Sequence, residues 1–598
     1  MIRFAAVNRM KAAKIIALSL ALTAPFAAWG KETAKEETAE DFYSSSSLAG
    51  NYLAARIAAT EKDTDFAVQF YRRALARDPD NPSLKYQAFL NFIANGDFEE
   101  GIRLGTDMAK LPEAPQVVQL ILAADEIRKR NWAGASKLLE AQWRSPLDRL
   151  FAGLLQSWVQ LAQDRTDDAL ASLDALEGPD WYDLFQQYHG GLIAMAAGRP
   201  EAAVKRLEEA MNNAAGGAAA RETYDRVQLA FVEALRKSGD LERAEAVLVD
   251  ILNRRPQNPV FERALANLQD KKPTFFDVSK PTRGAAEAFM NLGTAINREG
   301  GEQFARIYLQ LASMLAAKDN SVIASLAELF DKEGKIVRAN DLFGAVAPTS
   351  PYARFARLEY ALNLDQMGKE DEARDILDEL VEQHPDDIVV HLSYGSVLAR
   401  HEKFDEAIEV YKPIIARIDE PERLHWNLFY RLGIAYERTK QWPLAEATFK
   451  KALELHPDQP SVLNYLGYSW VDMAINLQEG LDMIRKAVEL RPNDGYMVDS
   501  LGWAYYRLNR FQEAVIELER AVELRPGDPT INDHLGDAYW RANRKLEATF
   551  QWRHALALDP PKDDIARIEE KLAKGLDAVL EREAAEKKID EAEAEKEG

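Results

Sequence analysis

Residues 501–526 read LGWAYYRLNRFQEAVIELERAVELRP, and residues 535–560 read LGDAYWRANRKLEATFQWRHALALDP. The segments lie 34 residues apart and align at Leu501-Gly502 with Leu535-Gly536, Tyr505 with Tyr539, Ala514 with Ala548, Leu518 with Trp552, Ala521 with Ala555 and Pro526 with Pro560. Two earlier segments carry the same pattern. Leu432-Gly433, Tyr436, Ala445, Phe449, Ala452 and Pro457 form one; Leu466-Gly467, Trp470, Gly480, Ile484, Ala487 and Pro492 form the other, with one inserted residue. Each segment reads as two amphipathic helices joined by a short turn, such as Arg507-Leu508-Asn509-Arg510. Small residues at the eighth, twentieth and twenty-seventh positions let the helices approach, and the large residue at position twenty-four fills the space between them. Proline then ends the second helix, because it lacks an N–H and clashes with the preceding turn. Neither helix buries its apolar stripe alone, so stability comes from stacking on neighbours.

The register reaches far upstream. Its small residue recurs as Ala305, Ala339, Ala373 and Ala407, and further back as Ala67, Gly101, Ala135, Ala169 and Ala203, then Ala244. Partner positions agree at Tyr71, Ala74 and Pro79, and at Leu292-Gly293, Leu309 and Ala312. These segments resemble tetratricopeptide (TPR) repeats. The resemblance covers nearly all of the chain and implies an all-α fold: a right-handed TPR solenoid of about fourteen helix–turn–helix units.

Three breaks interrupt the period. Residues 211–224, with a Gly-Gly pair, predict a loosened turn; 259–285 hold one short helix and then KKPTFFDVSKPTRG; 419–425 lengthen one connection. The expected organisation is therefore an N-terminal TPR array over 48–258 with degenerate repeats, a linker over 259–285, and a C-terminal array over 286–560, strongest over 426–560. Residues 561–598 are expected to form a charged capping helix, from Asp563 to about Arg582, followed by a tail.

The N-terminus carries a different signal. Residues 1–30 hold Arg3, Arg9, Lys11 and Lys14 with no acidic residue, then the apolar run Ile15 to Trp29 and small residues at Ala28 and Gly30. This pattern predicts a secretory signal peptide. The run is shorter than the roughly 20 residues usual for a membrane helix, although an uncleaved inner-membrane anchor is the alternative. Residues 31–47, KETAKEETAEDFYSSSS, read as a flexible charged and Ser-rich leader. No later stretch is apolar enough to span a bilayer, so the expected location is the periplasm.

Composition narrows the chemistry. The 598 residues include no Cys, which excludes thiol nucleophiles, Cys-based zinc sites and lipoprotein acylation. A formal net charge of -22, about -26 after signal removal, opposes binding to nucleic acid. No phosphate loop, GxSxG elbow or HExxH is present. His401-Glu402 starts like a zinc helix but continues to Asp405, and the eight histidines lack ligand spacing. No catalytic residue, metal site or cofactor is expected, and an enzyme is not.

What the resemblance implies instead is a concave groove lined by the first helix of each unit. In the family, positions two, five, nine, twelve and thirteen of that helix contact bound peptide. Carried onto this sequence, they give Tyr430, Ile434 and Arg438; Asn464, Tyr468 and Asp472; Asp499, Trp503, Tyr506 and Arg507; and Asp533, Asp537, Trp540 and Arg541. Aromatic and Arg side chains are common interface anchors. Position nine is Ile434, Tyr468, Trp503 and Asp537 and never Asn, unlike the TPR clamp for a C-terminal carboxylate. The expectation is a non-enzymatic scaffold or adaptor of the bacterial cell envelope, similar to exported multi-repeat TPR proteins of proteobacteria, that binds partner peptides or helices. A periplasmic chaperone for outer-membrane proteins and a TPR subunit of a polysaccharide secretion machine are the alternatives. Partners are expected to be proteins, and the sequence leaves the oligomeric state open.

Overall fold

The computed structural model describes residues 47–111, 114–213, 220–255, 258–274, 279–296 and 302–597. The expected signal peptide, and all of the expected leader but its last residue, lie outside them. The regular elements among the described residues are thirty-one α-helices and one 3-10 turn. The chain divides into two compact units at Leu380 and Val381.

In the N-terminal unit six hairpins come first: α1 (Leu48–Thr60) with α2 (Thr64–Arg77), α3 (Pro82–Asn95) with α4 (Phe98–Met108), α5 (Gln116–Arg128) with α6 (Trp132–Leu139), α7 (Pro146–Ala162) with α8 (Thr166–Asp174), α9 (Tyr182–Ala196) with α10 (Pro200–Asn212), and α11 (Arg221–Ser238) with α12 (Leu241–Arg254). The single helix α13 (Pro259–Gln269) follows. Then come α14 (Pro281–Ile296) with α15 (Glu302–Leu315), α16 (Asn320–Lys332) with α17 (Ile336–Ala345), and α18 (Ala353–Gln366) with α19 (Glu370–Gln383). Local chemistry starts several of these helices. Asn81 caps α3 by accepting from the Leu84 N–H, and Pro82 occupies a first-turn position where its missing N–H costs nothing.

The sequence places a boundary between arrays at 259–285, and the structure does not divide there. The α14–α15 hairpin turns back into the upstream array. Helix α14 packs against α5, α7, α9 and α11, while α15 packs against α3 and α5. The Phe151 ring lies 5.5 Å from Phe289 and 4.3 Å from Tyr308. Gly284 sits so close to Trp158 that a Cβ there would fall 2.3 Å from the indole. Further contacts close the unit: Gln310 donates to the Ala94 carbonyl at 3.4 Å, Arg338 donates to Asn95 Oδ1 at 2.8 Å, and Lys335 pairs with Asp63 at 3.1 Å. The inner helices of this array are thus covered by the chain's own later hairpin.

A polar network runs through that interior. Arg226 grips Glu287 with two N–H groups, Tyr188 donates its hydroxyl to Glu287 Oε1 at 2.7 Å, and Asn291 donates to the same oxygen at 3.0 Å. Burial pushes the Glu287 carboxyl up, but Arg226 outweighs it and holds the group below its ordinary value. Beside it, Trp158 Nε1 donates to His189 Nδ1 at 3.0 Å, and burial takes the His189 imidazole down to about 4.

The C-terminal unit is a run of hairpins: α20 (Ile388–Arg400) with α21 (Phe404–Ala416), α22 (Trp426–Arg438) with α23 (Trp442–Leu455), α24 (Pro460–Asp472) with α25 (Leu477–Leu490), α26 (Gly495–Arg507) with α27 (Phe511–Leu524), and α28 (Pro529–Arg541) with α29 (Lys545–Ala557). The long connection expected at 419–425 contains a 3-10 turn, Arg423–His425. The eighth-position glycine meets the large residue sixteen or seventeen positions later: Gly433 with Phe449, Gly467 with Ile484, Gly502 with Leu518 and Gly536 with Trp552. The inserted residue of the second unit is absorbed in the turn before α25, where Ala474 and Asn476 both take positive φ. The helices on either side therefore keep their register. Beyond Pro561, the single charged helix expected to Arg582 is in fact two, α30 (Lys562–Lys574) and α31 (Leu576–Glu597), broken at Gly575 with φ 84°.

Candidate partner groove

The first helices of the last four hairpins, α22, α24, α26 and α28, carry the residues that the family pattern marks for contact. Their surroundings differ sharply along the array. At the upstream end Tyr430 is half-buried among Trp426, Phe449 and Tyr465, with ring centroids about 6 Å away, so it packs between units. Ile434 packs into the same cluster, and Arg438 is exposed over the Phe404 ring at 5.1 Å. Asn464 is buried, and its Oδ1 makes no hydrogen bond. Tyr468 is half-buried; burial first, then Asp472 and Asp499, raises its hydroxyl pKa. Arg507 reaches back one unit to Asp472 at 3.3 Å.

The middle of the strip is an aromatic stack. Trp503 is half-buried, parallel to Tyr506 at 4.6 Å and to His534 at 4.1 Å, and its Nε1 makes no hydrogen bond. His534 Nδ1 lies 2.9 Å from Asp499 Oδ1. Arg541 bonds to the Tyr506 hydroxyl and lies over the Phe511 ring at 4.4 Å. His534 was not among the residues the pattern marks, since it stands at position six. The signal available was its spacing of 35 residues from Asp499, one turn of the repeat plus one residue.

At the downstream end the strip is covered, which corrects the expectation for three residues. Lys571 on α30 is fully buried and pairs with Asp533 at 2.8 Å and Asp537 at 2.7 Å. Trp552 also donates to Asp537 Oδ1 at 2.9 Å. Trp540 Nε1 donates to Asp577 at 2.9 Å, and Gly575 lies against the Trp540 ring where a Cβ would come within 2.5 Å. Asp533, Asp537 and Trp540 therefore hold the terminal cap instead of facing a partner. The reason is that the last hairpin has no successor, so α30 and α31 cover its inner face. Trp540→Ala should accordingly loosen the cap: limited proteolysis after Ala557 should accelerate, while an unchanged digestion rate would refute this contact.

The cluster also predicts a pH dependence. Burial lowers the His534 pKa, but the carboxylates of Asp499, Asp533 and Asp537 outweigh it and raise it. A folded value above the unfolded one means that protonated His534 stabilises the fold below about pH 6.5 and that this contribution fades as pH rises through the folded value. Urea midpoints of the native chain should exceed those of His534→Gln at pH 5 and converge with them by pH 9. A gap independent of pH would contradict the assignment.

Among the described residues no helix is long and apolar enough to cross a membrane, and no group of three or more His, Asp or Glu is placed to hold a metal ion. The stacked hairpins define an all-helical repeat protein of the protein–protein interaction scaffold class. Five segments, residues 49–81, 194–268, 355–387, 395–460 and 499–528, match family models described as tetratricopeptide repeats. The chain thus carries tetratricopeptide repeats in both of its units.

Among known proteins, the "TPR repeat-containing protein PA4667" of Pseudomonas aeruginosa is 27% identical over 191 residues, 32% of each chain. The "Tetratricopeptide repeat-containing protein trd-1" of Caenorhabditis elegans is 28% identical over 143 residues, 24% of this chain and 17% of that one. The chain thus spans a third or less of the length of these curated relatives. Among solved structures, the APC/C assembly Cut9–Hcn1 is similar over 90% of this chain and 98% of its own, at 15% identity and a TM-score of 0.37. Yeast Tom70 is similar over 90% and 96%, at 13% identity and 0.34.

Proposed function

We propose that the chain is a non-enzymatic adaptor of the bacterial cell envelope, exported to the periplasm, that grips an extended or helical segment of a partner protein along α24, α26 and the upstream side of α28. The observation that carries this reading is the half-buried Trp503, stacked between Tyr506 and His534 on the first helices of successive hairpins. The part of the Trp503 ring that remains exposed, beside the Asp472–Arg507 pair, offers a partner apolar area next to charged groups. The acidic balance of the chain favours a basic or neutral segment, chiefly through its rate of association.

Location in the envelope rests on the export signal read from residues 1–30. The test is to immobilise the mature chain and its Trp503→Ala variant, pass envelope extract of the native host over both, and identify retained proteins by mass spectrometry. One dominant envelope protein, lost on the variant, is the expected result. A ladder of many outer-membrane precursors would replace the adaptor reading with a chaperone. Equal retention on both columns would overturn the groove.

A further inference from the structure

A second feature lies in the N-terminal unit, far in sequence from the groove. Where the N-termini of α14, α16 and α18 come together the structure holds a cavity of about 610 Å³. Among its lining residues, Arg226, Lys280, Arg283 and Lys318 are cationic, and Asp319 is the one carboxylate. In a chain of net charge -22 this is a local inversion of sign. The three helix ends add the partial positive charge of their aligned peptide dipoles. The field registers on Asp319: burial pushes its carboxyl up, yet Arg283 and Arg226 hold it below the usual carboxylate range.

We propose that this cavity binds the phosphoryl group of a small phosphate ester. The sign of the lining calls for an anion, and the state of its donors selects the kind. A planar guanidinium fork clamps carboxylate and phosphate alike, and both forks here are engaged, so the choice falls to the remaining donors. Arg226 presents Nε and Nη2 to Glu287, and Arg283 presents Nε and Nη2 to Asp319. The groups left to meet a ligand are the ammoniums of Lys280 and Lys318, both exposed at the rim, and the hydroxyls of Thr282 and Thr349. Point charges and hydroxyls suit the dispersed oxygens of a phosphoryl group. The volume lies in the range of roughly 300–1,000 Å³ of ordinary ligand sites, leaving room for the organic part of an ester.

The test uses calorimetric titration of the mature chain with inorganic phosphate, glycerol 3-phosphate and acetate at matched ionic strength, and sedimentation with phosphatidylglycerol vesicles. Each is repeated on the Lys280→Gln/Lys318→Gln variant, with circular dichroism melting as the control for folding, and on Lys318→Gln alone. Glycerol 3-phosphate is expected to bind, about tenfold or more weakly to the double variant, with acetate showing no comparable heat. Vesicle binding that the variant loses, without binding of the soluble ester, would place the phosphoryl group on a lipid headgroup and overturn the small-ester assignment. Absence of binding by every phosphate probe, native-like binding by the double variant, or equal binding of acetate would overturn the site.

Discussion

Glu287→Ala is expected to destabilise the N-terminal unit by about 3–5 kcal/mol, the range for breaking a buried ion pair by removing one partner. The side chains of Arg226 and Glu287 are 8% and 4% exposed, so the guanidinium left behind has almost no access to water. Tyr188 and Asn291 would lose their acceptor in the same step. Urea unfolding followed by far-ultraviolet dichroism measures the loss. Replacing both partners with apolar residues, Arg226→Met with Glu287→Leu, should recover much of it, because no uncompensated charge remains. A native-like midpoint for Glu287→Ala would mean that α14 does not sit in the interior of this unit.

Gly467→Leu is expected to cost the C-terminal unit about 3 kcal/mol or more by overpacking. A Cβ on Gly467 would come within 2.7 Å of the Gly480 carbonyl oxygen, and one on Gly480 within 2.8 Å of the Gly467 oxygen. Both obstacles are backbone, so no side-chain rotation relieves them. The two helices must separate, and Ile484 at 3.0 Å and Met483 at 3.2 Å leave no room for the remainder of the leucine. A midpoint within experimental error of the native chain would refute the repeat register, which pairs these glycines across one hairpin.

Much of this architecture could be read from the sequence because a repeat writes its contacts at fixed spacing. The pairing of Gly433 with Phe449 and of Gly536 with Trp552 follows from the period alone, as do the helix stops at the recurring proline. The fold-back of α14 and α15 was not legible from the period, since it joins residues more than two hundred apart, such as Ala94 and Gln310. A signal existed in composition: Ala285, Ala286, Ala288, Phe289, Met290 and Leu292 leave α14 with little polar surface, as expected of a helix enclosed on all sides. The break at Gly575 was marked by the glycine itself, whose positive φ ends α30.

The groove was legible only as a set of positions. Family spacing marked Trp503 and Tyr506, which stack, and Asp499, which pairs with His534 beside them, and equally Asp533 and Trp540, which the cap occupies. Spacing cannot separate these cases, because every unit bears the same positions and only the end of the array lacks a neighbour. His534 escaped because it acts across units, through Asp499.

The measurement that tests the account most directly places a photo-reactive phenylalanine analogue at Tyr86 and, separately, at Tyr468 in the native host. Tyr86 is a half-buried residue of α3 whose hydroxyl lies in the electrostatic reach of Tyr308 on α15. From Tyr86 the account predicts cross-links within the chain, to α15, and from Tyr468 a cross-link to a second protein. Partner cross-links from Tyr86 together with none from Tyr468 would contradict both the filled interior of the N-terminal unit and the groove of the C-terminal one.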